Sequence, residues 1–282
     1  MFNLEEKLPL LKAYFAKQPE IIMAFVFGSA VRGQETQESD VDIAVYFKPV
    51  GRSLEWEEQY EYVREDEIWG EVEKIVGKRT DLVILNRAPS TLAYSVLQDG
   101  KVIVVKDLGL YWRFFLLISS AAEDFREFVK DFWTIKQRSF SLSEIDKNRL
   151  IKIIDFMESE LVYYSNFTNL DQGGYERDVA TRRNLERWAE NIVNASIDVA
   201  KIILSSKKKE IPQTYREVLQ KLGLLNGFDG EVAERLSRFA KLRNVLAHEY
   251  LDLRFIQLKK FVDESESDYK KLIAFAKGLV SK

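Results

Sequence analysis

The 282-residue chain has no cysteine and only one histidine, His248. Without cysteine there is no disulfide framework and no thiolate metal site, and nothing favours secretion. Long apolar runs are missing too, since clusters such as Phe114 to Ile118 are far too short to span a bilayer. Residues Met1 to Lys7 lack a basic segment followed by an apolar stretch, so no secretory signal is expected. Nor is there a strong charge of either sign. Forty-two Lys and Arg face 45 Asp and Glu, a net charge of −3, so contact with nucleic acid has to rely on a local basic patch. These absences point to a cytoplasmic protein with no membrane partner. The length allows a substantial core and most readily two domains.

The most informative string runs from Gly28-Ser29 to Asp40-Val41-Asp42. Phe25-Val26-Phe27 leads into it, and Ile43-Ala44-Val45-Tyr46 follows, so two short strands flank a polar turn. Side chains at i and i+2 share one face of a strand, which brings Asp40 and Asp42 together where a divalent cation can offset their repulsion. Gly28 lets backbone approach a phosphate, and Ser29 can donate a hydrogen bond to it. A third carboxylate, Asp81, opens the apolar run Leu82-Val83-Ile84-Leu85 on a further strand. It is a candidate both for metal binding and for helping to deprotonate a nucleophile. Mg2+ favours carboxylate, water and phosphate oxygens, so paired aspartates and a triphosphate suit it. Arg32, in the loop after Ser29, is a candidate for touching that triphosphate.

This pattern resembles the signature of the nucleotidyltransferase superfamily that includes DNA polymerase beta, in its minimal MNT form, over residues 20–107. The resemblance implies ATP as nucleotide donor, Mg2+ at Asp40, Asp42 and Asp81, and phosphate binding at Gly28 and Ser29.

Along the chain, helical spacing covers Leu4 to Phe15, and strands are expected near Ala24 to Phe27, Val41 to Phe47 and Val102 to Val105. A polar, aromatic-bearing helix is expected from Ser53 to Val76 with Ser53 as its N-cap, and a short one from an N-cap at Ser90 to Leu97. A helix from about Leu110 runs past Trp133. The expected first domain, residues 1–138, is thus a mixed sheet with helices against it. The Ser141-Leu142-Ser143-Glu144 string reads as a capping box that opens a second domain, residues 143–282. From there every segment reads as helix, which predicts a four- or five-helix bundle and an α+β chain overall. Lys207-Lys208-Lys209 reads as a solvated loop that is also able to hold a phosphate backbone.

The lone histidine sits in Arg243-Asn244-Val245-Leu246-Ala247-His248-Glu249-Tyr250. Arg, four residues, His, one residue, Tyr resembles the signature of HEPN domains of the HepT type. Tyr175 to Asp178 and Pro212 to Tyr215, each opening a helix, agree with that family. An imidazole exchanges protons near neutral pH, and an arginine fork can stabilise extra charge on phosphorus. The resemblance implies metal-independent RNA cleavage by Arg243 and His248, on a tRNA or mRNA, completed by a homodimer. Arg235, Arg238 and Arg254 are candidates to extend a basic groove. In MNT–HEPN systems the two domains are usually separate antitoxin and toxin, and the transferase attaches AMP to the motif tyrosine, here Tyr250. Both domains occur here in one chain, so the expectation is a fused toxin–antitoxin. Two rivals stay open. A small-molecule nucleotidyltransferase of the aminoglycoside-modifying kind would not need Arg243, His248 and Tyr250 together. A non-catalytic HEPN module would bind RNA or dimerise without cutting.

Overall fold

The computed structural model describes residues 4–32, 39–50, 54–59, 61–248 and 255–281, without the side chains of Arg32 and His248. In chain order the elements are α1 (Leu4–Ala16), β1 (Ile21–Phe27), α2 (Ser29–Arg32), β2 (Val41–Phe47), α3 (Glu65–Val76), β3 (Thr80–Ile84), α4 (Ser90–Asp99), β4 (Lys101–Val105) and α5 (Leu108–Arg138). There follow α6 (Glu144–Leu161), α7 (Tyr164–Phe167), α8 (Gln172–Arg177), α9 (Val179–Ser206), α10 (Tyr215–Gln220), α11 (Gly230–His248), α12 (Phe255–Glu264) and α13 (Glu266–Val280). The chain forms two compact units, Met1–Glu123 and Asp124–Lys282, which divide inside α5.

The first unit is a four-stranded sheet in the order β3-β2-β1-β4. β1 pairs antiparallel with β2 and β4, while β2 and β3 run parallel. Alternation along the strands supplies two apolar faces. Ile43, Val45 and Phe47 face Leu11, Phe15, Ile68 and Val72 from α1 and α3. Ala44 and Tyr46 face Ala93 and Val96 of α4 and Phe114 and Ile118 of α5. Each fully buried large side chain here contributes about 1.5–3 kcal/mol.

The expected long helix from Ser53 is shorter than its pattern. α3 begins only at Glu65, and Ser53 and Tyr60 lie outside the described residues. The preceding segment is pinned by polar contacts instead. The Tyr46 hydroxyl donates to the Glu55 carbonyl at 2.8 Å, and the Trp56 indole donates to the Ala88 carbonyl at 2.9 Å. Arg64 sits at φ 76, and the Glu65 carboxylate accepts from the Tyr62 N–H at 2.5 Å, which sets the helix start. Ser90 is likewise the first residue of α4 rather than its cap; Pro89 holds that position.

The second unit is an all-helical bundle built on α9, whose residues Val199 to Ser206 are all buried. Phe125, Phe128 and Phe132 from the second half of α5 belong to its core, along with residues of α6, α11 and α13. Ser143 caps α6 by accepting from the Asp146 N–H at 3.2 Å, and buried Asp146 is paired with Arg138 at the end of α5. Thr214 caps α10 in the same way, at 3.1 Å from the Glu217 N–H. Tyr175 does not open the long helix. It lies in α8, and Asp178 ends that turn and caps α9 by accepting from the Ala180 N–H at 3.0 Å. Among the described residues no helix is long and apolar enough to cross a membrane.

Candidate active sites

In the first unit the carboxylates are positioned by strand register. Asp42 lies opposite Phe27 on β1 and directly beside Asp81 on β3. Parallel partners in register point to the same face, with strands about 4.8 Å apart. Asp40, two residues before Asp42, stands just ahead of β2 and is half-buried, while Asp81 is exposed.

Gly28 ends β1 at φ 72. A Cβ built on it would lie 1.9 Å from Oδ2 of Asp42, so both the backbone angle and the close approach require glycine. Ser29 follows as the first residue of α2. Arg32 ends that turn, and its side chain lies outside the described residues.

Three residues that no motif marked hold this register. Asn86 is fully buried and continues the ladder past β3. Its Oδ1 accepts from the Phe47 N–H at 2.8 Å, and its Nδ2 donates to the Phe47 carbonyl at 3.0 Å. Trp69 is 45% exposed, and its indole donates to the Thr80 carbonyl at 2.5 Å, which anchors the strand start carrying Asp81. Arg79 reaches Asp40 with Nε 3.8 Å from Oδ1.

The three aspartates do not close on one point. Among the described residues no group of three His, Cys, Asp or Glu side chains could hold a metal ion. The donor chemistry nonetheless fits Mg2+. Two carboxylates are in register on one face, a third stands two residues along the same strand direction, and the missing Cβ of Gly28 lets the Asp42 carboxylate pack against the backbone at the end of β1.

In the second unit Arg243 is positioned by packed side chains. From α11 its Nη2 donates to Oδ2 of Asp124 at 2.6 Å, and its Nη1 donates to Oδ1 of buried Asn244 at 3.0 Å. Its guanidinium carbon lies 4.7 Å from the centre of the Tyr215 ring. Tyr215 meets Phe125 and Phe128 edge-on at 5.2 and 5.5 Å, so the platform under the guanidinium is itself rigid.

Arg243 opens on a cleft of about 410 Å³. Nearly buried Lys201 also lines it, bridging Asp131 at 2.8 Å and Asp198 at 2.6 Å. Burial pushes the Asp131 carboxyl up, but hydrogen bonds from Arg149 and Lys201 outweigh this and hold it below the usual range.

His248 is the last residue of α11, with its side chain outside the described residues. Tyr250 and Arg254 lie outside them altogether. Arg235, on α11, is half-buried. It clamps buried Asp268 with two hydrogen bonds, at 2.8 and 2.9 Å.

A carboxylate pair in strand register beside a glycine cradle, followed by a helical bundle with a stacked arginine, defines a nucleotidyl-transferring unit joined to a HEPN-type unit. A family model for polymerase beta nucleotidyltransferases matches residues 10–108, and one described as ribonuclease HepT-like matches residues 118–277. The protein adenylyltransferase MntA of Thermococcus cleftensis is 34% identical over 102 residues, covering 35% of this chain and 94% of that protein. The chain therefore belongs to the polymerase beta nucleotidyltransferase family in its first part and to the HepT-like ribonuclease family in its second. Among solved structures, a toxin–antitoxin with AMP-PNP is 21% identical with a TM-score of 0.35, covering 44% of this chain and 90% of its own. A mutant of the toxin–antitoxin MntA–HpeT is 18% identical with the same TM-score, covering 43% and 90%.

Proposed function

We propose that this chain is a cytoplasmic, fused toxin–antitoxin whose first unit transfers AMP from ATP to Tyr250 of the second and thereby silences an RNA-cleaving site. The observation that carries the reading is the register of Asp42 with Asp81 beside Gly28, in the same chain as the stacked Arg243 of a HepT-like bundle.

In the transfer step the phenolic oxygen of Tyr250 attacks the α-phosphorus of ATP, the bond to the bridging oxygen breaks, and pyrophosphate leaves. Asp81 takes the phenolic proton. Gly28 and Ser29 hold phosphate oxygens, with Arg32 a candidate for the outer phosphates. Asp40, Asp42 and Asp81 would hold Mg2+, which when bound offsets charge on the transferring phosphate and the leaving group.

In the cleavage step a ribose 2′-OH attacks the adjacent phosphorus and gives its proton to His248. The 5′-oxygen leaves with the proton that His248 returns to it, and a 2′,3′-cyclic phosphate remains. Arg243, held by Asp124, Asn244 and Tyr215, stabilises the added negative charge. One Arg and one His make a sparse site, so two copies pair to complete it. An adenylate on Tyr250, two residues from His248, repels and blocks an incoming phosphate.

Mass spectrometry of the full chain after incubation with Mg-ATP tests the transfer. Wild type should gain adenylyl groups, while Tyr250→Phe and Asp40→Asn/Asp42→Asn should not. An unshifted wild-type mass, or an equal gain in Tyr250→Phe, overturns the reading. The doubly substituted chain should also arrest growth and cut RNA where wild type does not.

A further inference from the structure

The cleft beside Arg243 is poorly suited to gathering RNA by charge. Four carboxylates, Asp124, Glu127, Asp131 and Asp198, line it against Arg243 and Lys201. Both cations are already paired with those acids, at 2.6 to 2.8 Å. A net acidic lining repels phosphates, so affinity for a polyanion has to come from another surface.

Such a surface exists at the other end of the α5 segment in this unit. Lys136 donates to the Lys209 carbonyl at 2.9 Å, and Lys208 donates to the Lys136 carbonyl, which ties the ends of α5 and α9 together. Lys147 and Lys207 line the adjoining cavity of about 430 Å³ with Ser141 and Ser206. None of these five lysines forms an ion pair among the described residues. The nearby acids are few: Glu144 lines the same cavity, and Glu210 is drawn toward Lys221 at 3.9 Å.

Two aromatic rings stand among the ammonium groups. Phe140 is 96% exposed, with Lys208 5.4 Å from its centre. Trp133 is partly exposed, with Lys136 at 5.1 Å. Lysines that merely neutralise helix C-termini account for Lys136 and Lys208. The same role covers Lys207, the C-cap of α9, but it accounts neither for Lys147 nor for a phenylalanine left in water.

We propose that this surface, Lys136, Lys147 and Lys207 to Lys209 with Phe140 and Trp133, holds single-stranded RNA, the lysines on phosphates and the rings stacked on bases. Exposed rings set between cations are what a sequence-tolerant single-strand surface requires. The choice of RNA rests on the ribonuclease reading of this unit. By helical rise Lys136 lies about 18 Å from Asp124 along α5, so the surface holds RNA flanking the scissile phosphate rather than the phosphate itself.

The test is binding of the full chain to a labelled single-stranded RNA with 2′-O-methyl riboses, which cannot be cleaved, across a range of salt. Lys207→Gln/Lys208→Gln/Lys209→Gln should weaken binding about 10-fold or more and make the log–log salt slope shallower by about two. Phe140→Ala should weaken it about 5-fold or more without changing the slope. Lys260→Gln, on α12, should bind as wild type. Circular dichroism melts of each variant separate lost binding from lost folding.

Wild-type affinity in both the lysine and Phe140 variants overturns the proposal, as does absence of binding by wild type. Tighter, equally lysine-dependent binding to duplex DNA or to phosphatidylglycerol vesicles also overturns it. The ribonuclease reading fails separately, if unmodified RNA stays bound but uncut by the Asp40→Asn/Asp42→Asn chain.

Discussion

The two units position their functional groups by different physical means. In the first, backbone does the work: β2 and β3 pair in register, so Asp42 and Asp81 fall side by side, and Gly28 is the residue that leaves room for the Asp42 carboxylate. In the second, side chains do it. Arg243 is held by a carboxylate from α5, an amide from its own helix and a ring from α10. A strand-borne site is specified by local pattern and hydrogen-bond ladders. A helix-borne one is specified by long-range packing, and its supports can be removed one at a time.

Substitutions should expose this contrast, the largest effects coming from the strand site. Asp42→Asn and Asp81→Asn should each lower AMP transfer by on the order of 10²–10³-fold with little change in melting temperature. Gly28→Ala should match that loss and also destabilise by about 1–3 kcal/mol, because the methyl meets Asp42 and φ is positive. Transfer measured beside thermal denaturation separates the two. If Gly28→Ala transfers AMP normally, the cradle is not required.

Asp124→Asn should lower kcat for RNA by about 10-fold while KM and stability stay close to wild type, since it loosens rather than removes Arg243. Partial recovery in Asp124→Glu would sharpen the point, whereas an unchanged kcat in Asp124→Asn would break it. Asn86→Ala should cost about 2–4 kcal/mol in urea denaturation, because it orphans a buried N–H and carbonyl of Phe47.

The smallest effect concerns Asp131. Its folded pKa lies below the ordinary value of about 3.9, so its stabilisation is present above that value and lost as pH falls through the folded one. Asp131→Asn should therefore destabilise by about 1 kcal/mol at pH 7. The difference from wild type should vanish in strong acid, and a constant difference down to pH 2 would refute it.

Much of the strand site was legible in the sequence because its logic is local. Alternating apolar residues gave β2 its bounds, the i, i+2 spacing gave the aspartates their face, and the turn between them marked Gly28. Asn86 was not legible, since nothing local distinguishes a buried amide that extends a ladder from an ordinary loop residue. Trp56 and Tyr62 read as helical from their spacing, but side chain–backbone hydrogen bonds hold that stretch in an irregular path to α3. The break at Asp178 was missed because a capping aspartate and a helix-interior one look alike until the backbone turns.

The sequence by itself determined the class of each unit and marked the carboxylates, glycine, arginine and histidine as candidates, because strand and helix periods and short motifs are written in neighbouring residues. Tertiary structure alone decided that Asp42 meets Asp81 and that Asp124, 119 positions from Arg243, supplies its counter-charge. It also gathered five lysines around two exposed rings. Those pairings depend on which distant surfaces pack together, and no local spacing carries that information.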